Sequence, residues 1–333
     1  MKIAFFETEK WEQKYLDERL KGHKITFETK TIDAKRAKKV SDAEGLGVFI
    51  YSKIDHTVLD AMPKLKLIAT MSTGFNHIDT AECKKRGITV CNVPTYGENT
   101  VAEHTFALLL ALSRKIHLSY ERTQKADFSA IGLRGFDLKG KTLGVVGCGH
   151  IGKHVVRIAR GFDMNVLVYE RRPDVKLAGE LGFTPATLED LYAKSDIITF
   201  HVPLTPETKH MFNAAAIRKA KKGAVIINTS RGEIMDTKAL IKGLNSGKIA
   251  GAGLDVLEGE CYIREEKQVL DPKFAEECDL RQVLQNHVLL KLPNVLITPH
   301  NAFNSQEALE RILNTTIGNV HAFSKGKKEN VVA

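Results

Sequence analysis

Thr142-Leu143-Gly144-Val145-Val146-Gly147-Cys148-Gly149-His150-Ile151-Gly152 decides the fold, because an apolar run of strand length passes directly into a G-x-G-x-x-G segment. Glycines at Gly147, Gly149 and Gly152 let the backbone turn tightly and come close to a pyrophosphate. A helix opening at this point supplies free N–H groups and positive potential for it. Glu170, eighteen residues beyond Gly152, follows the next apolar run, 165–169. A carboxylate at that place holds both ribose hydroxyls of a dinucleotide. Arg171 and Arg172 come directly after it and offer an alternative grip on a 2′-phosphate, so NAD is the expected cofactor and NADP the less favoured one.

Outward from this segment the same alternation continues. Downstream, strands are expected over 142–146, 165–169, 197–201, 224–228, 249–254 and 295–298, with helices over 154–161, 188–193 and 237–246. Upstream, strands are expected over 2–6, 24–27, 48–51, 67–71 and 89–92, with helices over 11–20, 56–61 and 79–86. The stretch 100–116 is too densely apolar for a helix with one wet face, and is expected to be buried between domains or subunits. A last helix, 306–323, returns to the first domain. The fold class is therefore α/β, with two doubly wound parallel sheets separated by a cleft. A flavodoxin-like substrate domain covers 1–99 plus 300–333, and a Rossmann dinucleotide-binding domain covers 100–299.

Composition sets the outer bounds. A chain of 333 residues with 43% hydrophobic and 27% charged residues exceeds what one core usually serves. No apolar run approaches the roughly 20 residues that span a bilayer, and the N-terminus lacks the apolar core of a signal peptide, so a cytoplasmic protein is expected. Cys83, Cys91, Cys148, Cys261 and Cys278 form no C-x-x-C pair, which indicates neither a disulfide framework nor a metal site. The net charge of +9, with Lys35, Arg36, Lys38 and Lys39 as its densest cluster, reads as a solvated surface that steers anions. No nucleic-acid motif accompanies it, so no nucleic-acid partner is expected.

Three residues downstream of the fingerprint have the chemistry that hydride transfer to an acidic substrate requires: Arg231, Glu260 and His300. A guanidinium holds a carboxylate through two parallel hydrogen bonds. An imidazole passes a proton near neutral pH, and a neighbouring carboxylate sets its tautomer.

The chain resembles the D-isomer-specific 2-hydroxyacid dehydrogenase family nearly end to end. The resemblance is carried by Gly74-Phe75-Asn76-His77-Ile78-Asp79, Val101-Ala102-Glu103-His104, the 147–152 segment, His201-Val202-Pro203-Leu204-Thr205, Asn228-Thr229-Ser230-Arg231-Gly232, Gly253-Leu254-Asp255-Val256 and Thr298-Pro299-His300. It implies that Arg231 binds the substrate carboxylate and carbonyl, that Glu260 pairs with His300, and that His300 exchanges the proton. It also implies that backbone N–H groups of Gly74 and Phe75 complete the carboxylate site. For the cofactor it implies His150 and Ile151 at the pyrophosphate and Val202, Pro203 and Thr208 around the adenosine. Thr229 and Ser230 fall near the nicotinamide, Asp255 on its carboxamide, and Val101 alongside.

Glutamate at 260 argues against formate dehydrogenases, and Thr73 before the Gly-Phe pair argues against phosphite dehydrogenases. Glu260 and His300 are forty positions apart, and Asn301-Ala302-Phe303 follow. Both features resemble the D-lactate branch of the family, with Phe303 at a small or apolar substrate side chain. The expected reaction is NAD-dependent reduction of a small 2-keto acid, pyruvate first, by a homodimer. The alternatives are a glyoxylate or hydroxypyruvate reductase, and a non-enzymatic NAD(H)-sensing protein of the corepressor type.

Overall fold

The central strands of this chain are short and buried on both faces, as parallel sheets covered by helices require. The computed structural model describes residues 1–259 and 280–333. It divides into one unit of Met1–Tyr96 with Ser305–Ala333 and a second of Gly97–Asn304. His300 and Phe303, expected with the first domain, thus count with the second unit.

The first unit is built on β1 (Lys2–Phe5), β2 (Lys24–Phe27), β3 (Gly45–Val48), β4 (Leu67–Thr70) and β5 (Thr89–Cys91). Its helices are α1 (Lys10–Arg19), α2 (Ala34–Lys39), α3 (His56–Asp60) and α4 (Thr80–Lys85). The strands are all parallel in the order β2-β1-β3-β4-β5, the flavodoxin-like order. The expected strand over 48–51 is shifted to Gly45–Val48. Glycines at 45 and 47 weaken the sequence signal there, yet Gly47 is where the Phe5 ring lies against the strand. Helix α2 was expected only as a charged surface. It forms because Asp33 caps it, accepting from Arg36 N at 2.7 Å.

In the second unit α5 (Glu98–Ser113) and α6 (Ile116–Thr123) precede β6 (Thr142–Val146). Then follow α7 (His150–Gly161), β7 (Asn165–Tyr169), α8 (Val175–Leu181), β8 (Thr184–Pro185), α9 (Leu188–Lys194) and β9 (Ile197–Phe200). Next come α10 (Ala214–Lys219), β10 (Ala224–Asn228), α11 (Thr237–Asn245), β11 (Ile249–Leu254), α12 (Leu280–Lys291) and β12 (Val295–Ile297). The final helix, α13 (Gln306–Ser324), belongs to the first unit, where Asn319 Nδ2 donates to Asn92 O at 2.9 Å.

The seven strands of the second unit run parallel in the order β12-β11-β10-β9-β6-β7-β8. Successive strand residues point to opposite faces, so each strand feeds two cores. Ile226 joins one with Leu191, Phe212 and Leu240, while its neighbours Val225 and Ile227 join the other with Phe106, Leu109 and Val156. Order reverses between β6 and β9, and doubly wound sheets take ligands beyond the strand ends at such a point.

The dense apolar stretch ends at Ser113 rather than continuing to 116, because Lys115 takes a left-handed φ of 51°. Its apolar residues Phe106, Leu108 and Leu109 lie in the core of this unit. The next segment carries a group of exposed apolar residues, with Ile116 at 56%, Tyr120 at 64%, Phe128 at 83% and Ile131 at 85% exposure. The short helices α8 and α10, missed by periodicity, are set by Asp174 and Asn213 at their N-caps. Among the described residues no helix is long and apolar enough to cross a membrane.

Candidate active site

Apart from Val101 on α5, the described residues singled out in the second unit follow the carboxyl ends of strands. After β6, helix α7 begins at His150, four residues earlier than expected, with Gly149 as an N-cap that offers no side-chain acceptor. The first-turn N–H groups therefore receive no side-chain cap, which is what a bound pyrophosphate needs. Loop and helix touch at Gly152, where a Cβ would lie 2.2 Å from Gly147 O. After β7, Glu170 accepts from Cys148 N through Oε1, and its Oε2 makes no hydrogen bond among the described residues. A recess beside it is lined by Lys153, Arg172, Leu177 and Phe183. These residues fit a dinucleotide, with an uncapped helix end for phosphate and a carboxylate oxygen for ribose. After β9, Val202 packs on the Gly147 turn, and Thr208 donates to Pro203 O at 2.6 Å while accepting from Thr205 N at 2.8 Å. The Thr208 hydroxyl thus closes its own loop.

After β10, Asn228 organises the turn that carries Arg231. Its Oδ1 accepts from Ser230 N at 3.0 Å and Ser230 Oγ at 2.9 Å, and its Nδ2 donates to Arg231 O at 2.9 Å. Gly232 is required there, since a Cβ would stand 2.0 Å from the carbonyl carbon of Leu257. The exposed guanidinium of Arg231 makes one hydrogen bond among the described residues, to Ser230 O at 2.7 Å, so its remaining donors are open to a carboxylate. Thr105 on α5 donates to Val101 O at 2.9 Å, so the 3.0 Å contact between Thr105 Oγ1 and Thr229 Oγ1 is donated by Thr229.

After β11 stands Asp255, only 1% exposed. Three consecutive N–H groups of the turn after β12 donate to this one residue: His300 N to its carbonyl at 2.9 Å, Asn301 N to Oδ1 at 3.0 Å, and Ala302 N to Oδ2 at 2.9 Å. Thr298 Oγ1 adds a 2.5 Å bond to Oδ1. His300 is held in the left-handed region, at φ 52°. His104 Nε2, on α5, lies 3.0 Å from Thr298 Oγ1 and 3.4 Å from Asp255 Oδ1. Burial pushes the Asp255 carboxyl up, but the bonds from His104, Thr298, Ala302 and Asn301 together hold it below the ordinary carboxylate value. Among the described residues Asn301 Oδ1 is buried without a partner, which leaves it as an acceptor for an incoming N–H.

Glu260 lies outside the described residues. Two positions before it, Glu258 accepts from His210 Nε2 at 2.6 Å and Thr237 Oγ1 at 2.9 Å. Asn286 of α12 donates to Glu258 O at 2.8 Å. In the first unit the Gly74-Phe75 turn is fixed by Ser72 Oγ on Gly74 O at 2.6 Å and by Asn92 Nδ2 on Thr73 O at 2.8 Å. Phe75 packs on the core of its unit. Among the described residues neither Gly74 N nor Phe75 N donates a hydrogen bond, which leaves both for a carboxylate. At the end of β1, Glu7 collects Tyr51 N at 2.8 Å, Phe49 N at 3.2 Å and Ser52 Oγ at 2.5 Å.

Residues 106–302 match the family model described as D-isomer specific 2-hydroxyacid dehydrogenase, NAD binding domain. The chain belongs to the D-isomer specific 2-hydroxyacid dehydrogenase family. Over 98% of its length it is 37% identical to the D-lactate dehydrogenase of Escherichia coli K12, covering 98% of that protein. The apo-structure of the Escherichia coli enzyme aligns over 100% of both chains with a TM-score of 0.86 and 36% identity. The glyoxylate reductase of Thermococcus litoralis is 38% identical over 87% of this chain and 83% of its own. The D-lactate dehydrogenase of Aquifex aeolicus, solved with NAD and lactic acid, aligns over 97% of this chain and 96% of its own with a TM-score of 0.81 and 37% identity.

As a member of this family the protein is an oxidoreductase with NAD as cofactor, and both parallel-sheet domains are as the sequence indicated. Sequence reasoning named Asp255 and His300 but not the bonds between them. It also left His104, Asn228 and the pair His210–Glu258 without roles. His104 sits inside a segment that carried the family resemblance, the one signal that pointed to it.

Proposed function

We propose that this dehydrogenase reduces a small 2-keto acid, with pyruvate to D-lactate as the leading case. The observation that carries the reading is the turn at 300–302, whose three N–H groups all end on Asp255 and so present the His300 imidazole on a fixed backbone. Bound NADH supplies the hydride to the carbonyl carbon. Arg231 holds the substrate carboxylate and polarises the carbonyl as charge develops on its oxygen. Gly74 N and Phe75 N add two more donors for the carboxylate. His300 gives its proton to that oxygen, and in the reverse direction takes it back. Glu260 stabilises the imidazolium, and Asp255 and Asn301 are available to the nicotinamide carboxamide.

Phe303 and the forty-position separation of Glu260 from His300 favour an apolar substrate side chain. End-to-end similarity to D-lactate dehydrogenases supports the same choice. Glyoxylate or hydroxypyruvate is the second reading, favoured by the glyoxylate reductase relatives. Oxidation of NADH measured against pyruvate, glyoxylate and hydroxypyruvate tests both, and the highest kcat/KM is expected with pyruvate. Turnover of none of the three would refute the enzymatic reading in favour of an NAD(H) sensor. In His300→Ala, kcat is expected to fall about 10²- to 10⁴-fold with NADH binding retained. For Glu170, NADH is expected to be used better than NADPH, and equal kcat/KM values would refute that assignment.

The reading extends to a cytoplasmic homodimer. Buried free thiols at Cys83, Cys91 and Cys148 suit a reducing compartment. The exposed Ile116, Tyr120, Phe128 and Ile131 are the surface assigned to the partner copy. A monomeric mass in solution would refute the dimer.

A further inference from the structure

The carboxylate of Asp255 cannot set the 300–302 turn alone, because its own position must be fixed against several donors. Its Oδ1 accepts from Thr298 Oγ1 and Asn301 N, and the Thr298 proton is spent in that bond. The 3.0 Å contact of Thr298 Oγ1 with His104 Nε2 is therefore donated by the imidazole. This fixes the His104 tautomer with its proton on Nε2. The ring lies on α5, and the same Nε2 reaches Asp255 Oδ1 at 3.4 Å. The chain of contacts runs from α5 through Thr298 and Asp255 to the N–H groups of Asn301 and Ala302. It ends at a histidine kept at φ 52°, which a non-glycine residue adopts only under constraint.

We propose that His104 is a positioning residue for proton transfer: through Thr298 and Asp255 its Nε2–H locks the turn that presents His300. His104 touches neither substrate nor cofactor in this scheme, and the inference rests on the proposed role of His300. Replacement by Gln keeps an N–H at the reach of Nε2, whereas Leu removes it at similar bulk.

The test compares the full chain as wild type, His104→Gln and His104→Leu by amide hydrogen exchange and by kcat. In His104→Leu the amides of Asn301 and Ala302 are expected to exchange at least about tenfold faster than in wild type. Its kcat should be lower by about 10- to 100-fold, with NADH affinity within about threefold of wild type. His104→Gln should restore both protection and turnover. Wild-type protection of both amides in His104→Leu would overturn the proposal, as would equal deprotection in His104→Gln. Should His104→Leu fail to fold, Thr298→Val breaks the same link with the ring in place, and unchanged protection there refutes the proposal equally. Absence of wild-type turnover on every 2-keto acid would refute the functional reading and with it the link to proton transfer, while the exchange comparison would still decide whether His104 locks the 300–302 turn.

Discussion

Asp255 and Glu7 solve the same problem in two sheets with opposite electrostatic outcomes. Each carboxylate follows a strand and grips the loop after the neighbouring strand: Glu7 after β1 holds the loop after β3, and Asp255 after β11 holds the turn after β12. Each accepts two backbone N–H groups and one hydroxyl. Burial raises the Glu7 carboxyl despite the bonds from Ser52, Tyr51 and Phe49, whereas Asp255 stays below its ordinary value. The group present at one site and not at the other is the imidazole of His104. Burial disfavours the charged carboxylate at both sites, and the hydrogen bonds outweigh it at Asp255, where the bond from His104 is the largest of them.

The comparison can be broken experimentally. Asp255→Ala should have the largest effect, about 3 kcal/mol or more in urea unfolding, because it strands the Thr298 hydroxyl, two backbone N–H groups and the His104 ring. A loss below about 1 kcal/mol would mean that the turn does not depend on the carboxylate. Ser52→Ala comes next, at about 2 kcal/mol, since its hydroxyl donates to Glu7 and also accepts from Ile32 N at 3.0 Å. Glu7→Gln should be mildest, about 1 kcal/mol at pH 7, because losing an unfavourable charge offsets part of the lost bonding. If Glu7→Gln costs more than Asp255→Asn, the electrostatic contrast is wrong.

Acid titration sharpens the same contrast. The folded-state carboxyl of Asp255 is lowered, so its contribution is present above the unfolded value, about 4, and is lost as pH falls through the lower folded value. The folded-state carboxyl of Glu7 is raised, so the fold favours its protonated form, and that contribution is lost as pH rises from the unfolded value, about 4.3. Unfolding free energies measured from pH 3 to pH 6 should therefore diverge between wild type and Asp255→Asn as pH rises. Between wild type and Glu7→Gln the pH-dependent part should run the other way. Parallel curves would remove the distinction.

Strands and glycine turns were legible in the sequence wherever an apolar run met a breaker, as at Thr142–Val146, Asn165–Tyr169 and Ala224–Asn228. Where a strand contains glycine to admit a neighbouring ring, as at Gly47 beneath Phe5, periodicity misplaces it by three residues. Helices α2, α8 and α10 are short, and their signal is a capping side chain rather than an apolar stripe. For the site, residue types were legible and their mutual bonds were not. The contact of His104 with Thr298 joins residues 194 positions apart, which only the folded sheet brings within 3.0 Å. The same holds for Asp255 and the 300–302 turn.

Helix α5 carries its two anchors on consecutive residues. His104 bonds toward the turn of His300, and Thr105 bonds toward the turn of Arg231. Neighbouring residues on one helix cannot slide apart, so α5 ties the turn of His300, the proposed proton donor, to the turn of Arg231, the proposed carboxylate binder, through two hydrogen bonds. Under the proposed role of Phe303, a change of substrate side chain would be met there while the two tied turns keep their places. In that reading one helix insulates the reaction from the specificity.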